Sequence, residues 1–317
     1  MTKMNNRVYG LMGIGCHMAN WNADFTGRPK TISDGSIYGS DKAFKYSIKR
    51  YWDNQGEKVL YFKSYIIQEK GGKDEKEKLQ PKDIMERYIE LYGTEIDDKT
   101  PSKEVLKNLF SAVDVMNFGA TFAVKKQNIG ITGAVQVGQG MNKYEESVIE
   151  SQDILSPFRN SEKKEADASS LGTKIMCDEA HYVYPFSVNP NHYDYYIPYV
   201  DGFEGYTVEA YEKFKEAALV GATALNTNSK AGCENEFALF VTCKENSKLY
   251  LPHLDQYIEI RKEAGKVIYD VTKLEQFLNA FSDEIQAVEV YYNPFKIEIL
   301  KQDNSFQLHN IFTRQTI

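Results

Sequence analysis

The chain has 317 residues, 42% of them hydrophobic, which is enough for a packed core and excludes wholesale disorder. Its 38 Lys and Arg against 45 Asp and Glu leave a net charge of -7, so a uniformly basic nucleic-acid binder is excluded, whereas a local basic groove on an acidic body is not. No apolar run approaches the roughly 18 residues of a membrane span.

The start, MTKMNNRVYG, lacks the apolar core of a secretory signal. Four cysteines without a C-x-x-C pair are too sparse for a disulfide framework, so a reducing cytoplasm is the expected home. Dividing by about 150 residues per domain suggests about two domains, or one with large insertions.

Arg7 to Gly15 reads as a buried strand interrupted by Gly10, Gly13 and Gly15, which implies a bulge or a closely approaching backbone. A polar loop, Asn20 to Lys30, follows, with Trp21 and Phe25 as its exposed aromatic candidates. Ser40 is an expected N-cap, with Asp41 in the first turn. Phe44, Ile48 and Tyr51 then form a buried helical stripe, with Lys42, Lys45 and Lys49 roughly opposite and Arg50 to one side. Such a stripe is either a solvated face or a set of phosphate contacts, with Gly10, Gly13, Gly15, Gly138 and Gly140 able to bare the main chain beside it.

Lys70 to Lys78 is a mixed charge run expected in solvent. Pro81 should open a short helix carrying Ile84, Tyr88 and Leu91, closed by Gly93, and a second helix should run from Ser102 to Phe110. Strand character returns at Met116 to Val124 and Ile129 to Val137. Asp153 to Cys177 shows no clear element, which marks a functional or mobile loop. His181 to Val188 alternates like a strand, and its single His is expected to be a satisfied core residue. Thr207 caps a helix to about Ala224. Glu236 to Thr242 and Ala287 to Tyr292 are strands flanking a helix at Thr272 to Ala280. The aromatic content of 13% offers base-stacking surface, although most such rings fill cores. Cys16 and His17 lack further partners for a metal site, and Asp24 is an acid, a cation ligand or simply a turn residue.

Several segments resemble one family. They are Met18-Ala-Asn-Trp-Asn-Ala-Asp-Phe-Thr-Gly27, Ser40-Asp-Lys-Ala-Phe-Lys-Tyr-Ser-Ile-Lys-Arg-Tyr-Trp52 and Phe118-Gly-Ala-Thr-Phe-Ala-Val124, then Ile131-Thr-Gly-Ala-Val-Gln-Val137 and Ser169-Ser-Leu-Gly172. Asp178-Glu-Ala-His-Tyr-Val-Tyr184 and Lys230-Ala-Gly-Cys-Glu-Asn-Glu-Phe237 complete the set. Together they resemble the backbone subunit of type I-B CRISPR surveillance complexes (Cascade), of the repeat-associated RNA-binding superfamily.

The resemblance implies an α+β fold: an RRM-like (ferredoxin-like) palm with an antiparallel sheet, a helical fingers insertion and a protruding thumb loop. The palm would comprise 1–65, 113–152 and 178–317, the fingers 66–112 and the thumb 153–177. It further implies a non-catalytic subunit that polymerises along a guide RNA (crRNA) beside other Cascade subunits and leaves bases free to pair with target DNA. No cofactor, metal or membrane is implied. Lys45, Lys49 and Arg50 then look like guide-backbone contacts, joined by Lys42 from the same stripe. Gln136, Gln139 and Lys143 line the same groove. Leu171 is similar to an apolar wedge at a kinked base, with Lys174 near it, and Lys230 resembles a basic loop facing RNA. Arg28 and Lys30 are the outlying members of the set. The alternative is a metal-dependent endoribonuclease using Asp24, as in backbone subunits of type III complexes.

Overall fold

The computed structural model describes residues 2–68, 77–155, 171–303 and 305–317. In chain order the elements are β1 (Val8–Ala19), β2 (Tyr38–Gly39), α1 (Asp41–Asn54), β3 (Tyr65–Gln68), β4 (Lys78–Pro81), α2 (Ile84–Tyr92), α3 (Ser102–Phe110), α4 (Val113–Phe118), β5 (Gly119–Val124), β6 (Gln127–Thr132), β7 (Val135–Val137) and β8 (Gly140–Asn142). The second half contains β9 (Ile149–Leu155), β10 (Leu171–Val188), α5 (Val208–Ala224), β11 (Cys233–Cys243), β12 (Glu259–Glu263), β13 (Lys266–Asp270), α6 (Thr272–Asn279), β14 (Ile285–Tyr292), β15 (Ile297–Leu300) and β16 (Gln307–Asn310).

The main sheet runs β16-β14-β11-β1-β10-β8-β2, and β7 and β9 also pair with β10. Pairing is antiparallel except between β14 and β16. Its centre, β11-β1-β10-β8, with α1 following β1 and α5 preceding β11, has the order and connections of an RRM-like palm. The fold is therefore α+β, as expected.

Local chemistry explains the helices. Ser40 caps α1 by accepting from the Ala43 N–H at 3.3 Å. Thr207 caps α5 by accepting from Ala210 N at 3.2 Å. Asp83 and Glu86 form a capping box that opens α2, and Gly93 closes it at φ 71, a left-handed conformation that costs glycine little. Pro81 thus ends β4 rather than opening a helix, since the capping box supplies the real start. The buried face of α1 is Phe44, Ser47, Ile48 and Trp52, with Tyr51 only half-buried. Each large apolar side chain there contributes on the order of 1.5–3 kcal/mol of burial.

One core lies between α1, α5 and the sheet and continues into α2, α3 and α4. A second lies on the opposite face of the sheet, where β12, β13, β15 and α6 cover Leu11, Val183, Phe237 and Leu239. The face that a lone RRM uses for stacking bases is therefore roofed.

The other departures from expectation have physical causes. Met116 to Phe118 belong to α4, and the strand begins only at Gly119, whose φ of 75 ends the helix. The segment expected to be fingers contains a β3–β4 hairpin as well as two helices. The core of the Lys70 to Lys78 charge run lies outside the described residues, as does 156–170, the centre of the expected thumb. The thumb's described flanks are not structureless. β9 pairs with the first seven residues of β10, from Leu155 opposite Leu171 to Ile149 opposite Cys177. Trp21 is fully buried, and its indole N–H donates to the Tyr184 hydroxyl at 2.6 Å; Phe25 is exposed.

The glycines that were expected to bare backbone are occupied by the protein itself. A Cβ on Gly10 would lie 2.4 Å from the Phe186 ring, on Gly140 2.4 Å from the Tyr184 ring and on Gly138 2.9 Å from Pro185. At Gly15 it would lie 2.3 Å from Glu236 Oε2, and at Gly13 2.7 Å from the Tyr269 hydroxyl. The register of β11 slips opposite Gly13 and Ile14, and this bulge re-aims Glu236 into the space the two glycines leave. Glu236 Oε1 accepts from Tyr269 at 2.6 Å and meets His181 Nδ1 at 2.6 Å. His181 is thus a core residue as expected but only half satisfied: its buried Nε2 has no hydrogen-bond partner and lies 3.4 Å from Glu179 Oε1. Burial by itself lowers the His181 pKa, but the carboxylates of Glu236 and Glu179 outweigh it and the net shift is upward.

Candidate nucleic-acid interface

The polar loop between β1 and β2 organises the site. Asp24 Oδ1 accepts from Thr26 N at 2.8 Å, the Thr26 hydroxyl at 2.8 Å and Arg28 N at 3.0 Å, forming an Asx-type turn. The Thr26 hydroxyl bond, followed by the backbone donors, holds the carboxyl of Asp24 below its usual range. Asn20 and Asn22, which sequence reasoning missed, fasten this loop to the fold. Asn20 Nδ2 donates to Gly27 O at 3.0 Å and to Ile175 O, at the base of the β9–β10 ribbon, at 3.2 Å. Asn22 Oδ1 accepts from Ser40 N at 2.8 Å, just ahead of α1. The available signal was the pair of asparagines flanking Trp21 in a turn-rich stretch.

These bonds gather residues from distant parts of the chain. Arg28 and Lys30 lie in the loop, and Lys30 O accepts from Tyr38 N at 2.9 Å. Gln139 exchanges two bonds of 3.3 Å with Asp41, in the first turn of α1, which brings the β7–β8 segment beside Lys42 and Lys45. Lys143 follows Asn142, whose N–H donates to Ile37 O at 3.0 Å. Lys174 adjoins Ile175 on the ribbon. Lys230 donates its ammonium to Asn20 O at 2.7 Å, and burial lowers its pKa. Leu171 lies at the far end of the described ribbon, and its side chain is outside the described residues. Gln136 is exposed on β7 and bonds Gly133 O at 2.9 Å.

The cations divide into two groups. Lys45 pairs with Asp41 at 3.1 Å, Arg50 with Asp53 at 3.4 Å and Lys143 with Asp255 at 3.2 Å. Lys49 pairs with the fully buried Asp114 at 3.3 Å. Asp114 also accepts from Leu60 N at 2.8 Å and Tyr61 N at 2.9 Å, so Lys49 completes a structural clamp between α1 and α4. Lys49 is therefore not a freely solvated member of the helix stripe, and Lys45 lies with its ammonium 5.5 Å from the Phe118 ring centre. By contrast, Arg28, Lys30, Lys42 and Lys174 have no ion-pair partner among the described residues. Among the described residues, no group of three or more His, Cys, Asp or Glu is placed to hold a metal ion, and no helix is long and apolar enough to cross a membrane.

Comparison with known proteins follows the same line. No curated protein matches the chain in sequence. Among solved structures, it is similar to a chain of a "CRISPR RNA-guided surveillance complex, pre-nicking", with a TM-score of 0.58 and 11% identity over 94% of this chain and 96% of that one. It is also similar to a chain of a "CRISPR RNA-guided surveillance complex", with a TM-score of 0.51 and 13% identity over 94% and 95%. At these identities the likeness establishes a shared fold. The family model described as "CRISPR-associated protein Cas7" matches residues 6–284. The chain belongs to the Cas7 family of CRISPR-associated proteins.

Proposed function

We propose that the protein is a non-catalytic backbone subunit that binds guide RNA, polymerises along it beside other subunits of a surveillance complex and leaves the bases free to pair with target DNA. Membership of the Cas7 family and the titles of the similar structures support the setting. The observation that carries the reading is the set of bonds that ties the loop bearing Arg28 and Lys30 to Ile175, next to Lys174, at the root of an exposed ribbon, and to Ser40, two residues ahead of Lys42. Unpaired cations at that point suit phosphates, which a scaffold indifferent to guide sequence must grip in place of base edges. Pairing then does the sequence reading.

In this reading 1–65, 113–152 and 178–317 form the palm, 66–112 the fingers and 153–177 the thumb. Lys45, Arg50, Gln136, Gln139, Lys143 and Lys230 border the groove, and the Leu171 side chain is the proposed wedge. Asp24 shapes the loop instead of serving as a catalytic carboxylate. Type I-B remains the proposed subtype and the cytoplasm the proposed compartment. The test is nuclease digestion of RNA carried by the purified assembly. Protected fragments growing in a regular step with subunit number support the proposal. Unprotected RNA, or Mg²⁺-dependent cleavage of a complementary RNA that is lost in Asp24→Ala, contradicts it.

A further inference from the structure

Cys16 on β1 and Cys233 on β11 stand directly opposite each other in the antiparallel ladder. The neighbouring pair, His17 and Gly232, is hydrogen-bonded, with His17 N donating to Gly232 O at 2.9 Å. Bonded and non-bonded pairs alternate along such a ladder, so Cys16 and Cys233 form a non-bonded pair. The Cα atoms of such pairs approach to about 4.5 Å, with side chains closer than in bonded pairs. A disulfide spans Cα separations of about 4.4–6.8 Å. The two sulfurs are 3.6 Å apart, and both belong to the core beneath α1 and α5.

We propose that Cys16 and Cys233 are a redox pair that closes into a reversible cross-strand disulfide when the protein meets a small-molecule disulfide. One thiolate of the pair attacks a sulfur of the reagent and expels one reagent thiol. The second thiolate attacks the resulting mixed disulfide and expels the other. The two protons leave with the two reagent thiols, so the cysteines are oxidised and the reagent is reduced. The hydrogen bond between the two thiols, followed by burial, pushes the Cys16 pKa up. Both thiols are buried, so the reagent reaches them through local opening of the sheet. The location gives the bond a consequence. β1 leads from Cys16 into the anchored loop, and the turn carrying Lys230 enters β11 at Cys233, so closure restrains both sides of the Lys230–Asn20 contact.

The test incubates the folded full-length protein with oxidised glutathione, blocks remaining thiols and maps peptides by mass spectrometry. The expected product loses two hydrogens, contains a Cys16–Cys233 linked peptide and reverts with excess reductant. Cys177, buried with its Sγ 3.4 Å from Glu179 O, and Cys243 should retain their thiols. Cys16→Ser and Cys233→Ser should each abolish the linkage; should either variant fail to fold, the wild-type peptide map decides alone. Persistence of all four free thiols, or a link through Cys177, Cys243 or a second molecule, overturns the proposal.

Discussion

Among the lysines on or near α1, position in the fold separates two physical roles. Lys49 faces a carboxylate that is wholly out of water, so Lys49→Ala leaves Asp114 with its two backbone donors but no countercharge. Breaking such a pair costs about 3 kcal/mol, which chemical denaturation reads as a lower midpoint with an unchanged slope. Lys42 is exposed and unpaired, so Lys42→Ala should leave the midpoint within about 0.5 kcal/mol while weakening RNA binding. Equal midpoints for the two variants would refute this division. The distinction was invisible in the helix sequence, where both residues fall on the same lysine stripe. Asp114 lies far along the chain, and nothing local announces that its carboxylate turns inward. Trp21 misled for the same reason: the loop around it is polar, and its partner Tyr184 belongs to a strand formed much later in the chain.

Elements whose ends are set by local chemistry were readable from sequence. Ser40, Thr207 and Gly93 marked helix ends because a hydroxyl cap or a left-handed glycine acts within one turn. β9 and the start of β10 were not readable, because the ribbon they form has little buried face and so shows no regular alternation. Its strands meet only after the chain returns from an intervening segment. Most of β9 is exposed, as are Gly172 and Thr173 opposite it. Replacing residues 152–174 with a short turn should therefore leave the thermal midpoint within a few degrees of wild type. The same deletion should abolish stable packaging of RNA, read by the absorbance ratio at 260 and 280 nm of the gently purified protein. A collapse of the midpoint would show that the ribbon is needed by the fold, and undiminished RNA would remove it from the proposed interface.

At the scale of the whole molecule, an acidic chain of net charge -7 has a proposed cationic grip at the root of a ribbon, and its sheet is roofed on the side opposite α1 and α5. The RRM-like centre was legible through β1, α1, α5 and β11. Of the roof only α6 was legible, because β12, β13 and β15 are short strands and β13 pairs with β15 in parallel, across α6 and β14 in sequence. With both faces covered, the proposed RNA affinity comes from charge around the anchored loop in place of stacking on the sheet. The most direct measurement is a salt titration of binding to two RNAs of equal length and unrelated sequence, for wild type and for Lys30→Glu/Lys42→Glu/Lys174→Glu. A phosphate grip of this kind predicts the same linear fall of log K with log salt for both RNAs. It also predicts that the triple variant, with a midpoint close to wild type, has a slope shallower by about 2–3 and binds both RNAs equally more weakly. Salt-insensitive binding, a preference for one sequence, or an unaltered slope in the triple variant would contradict it.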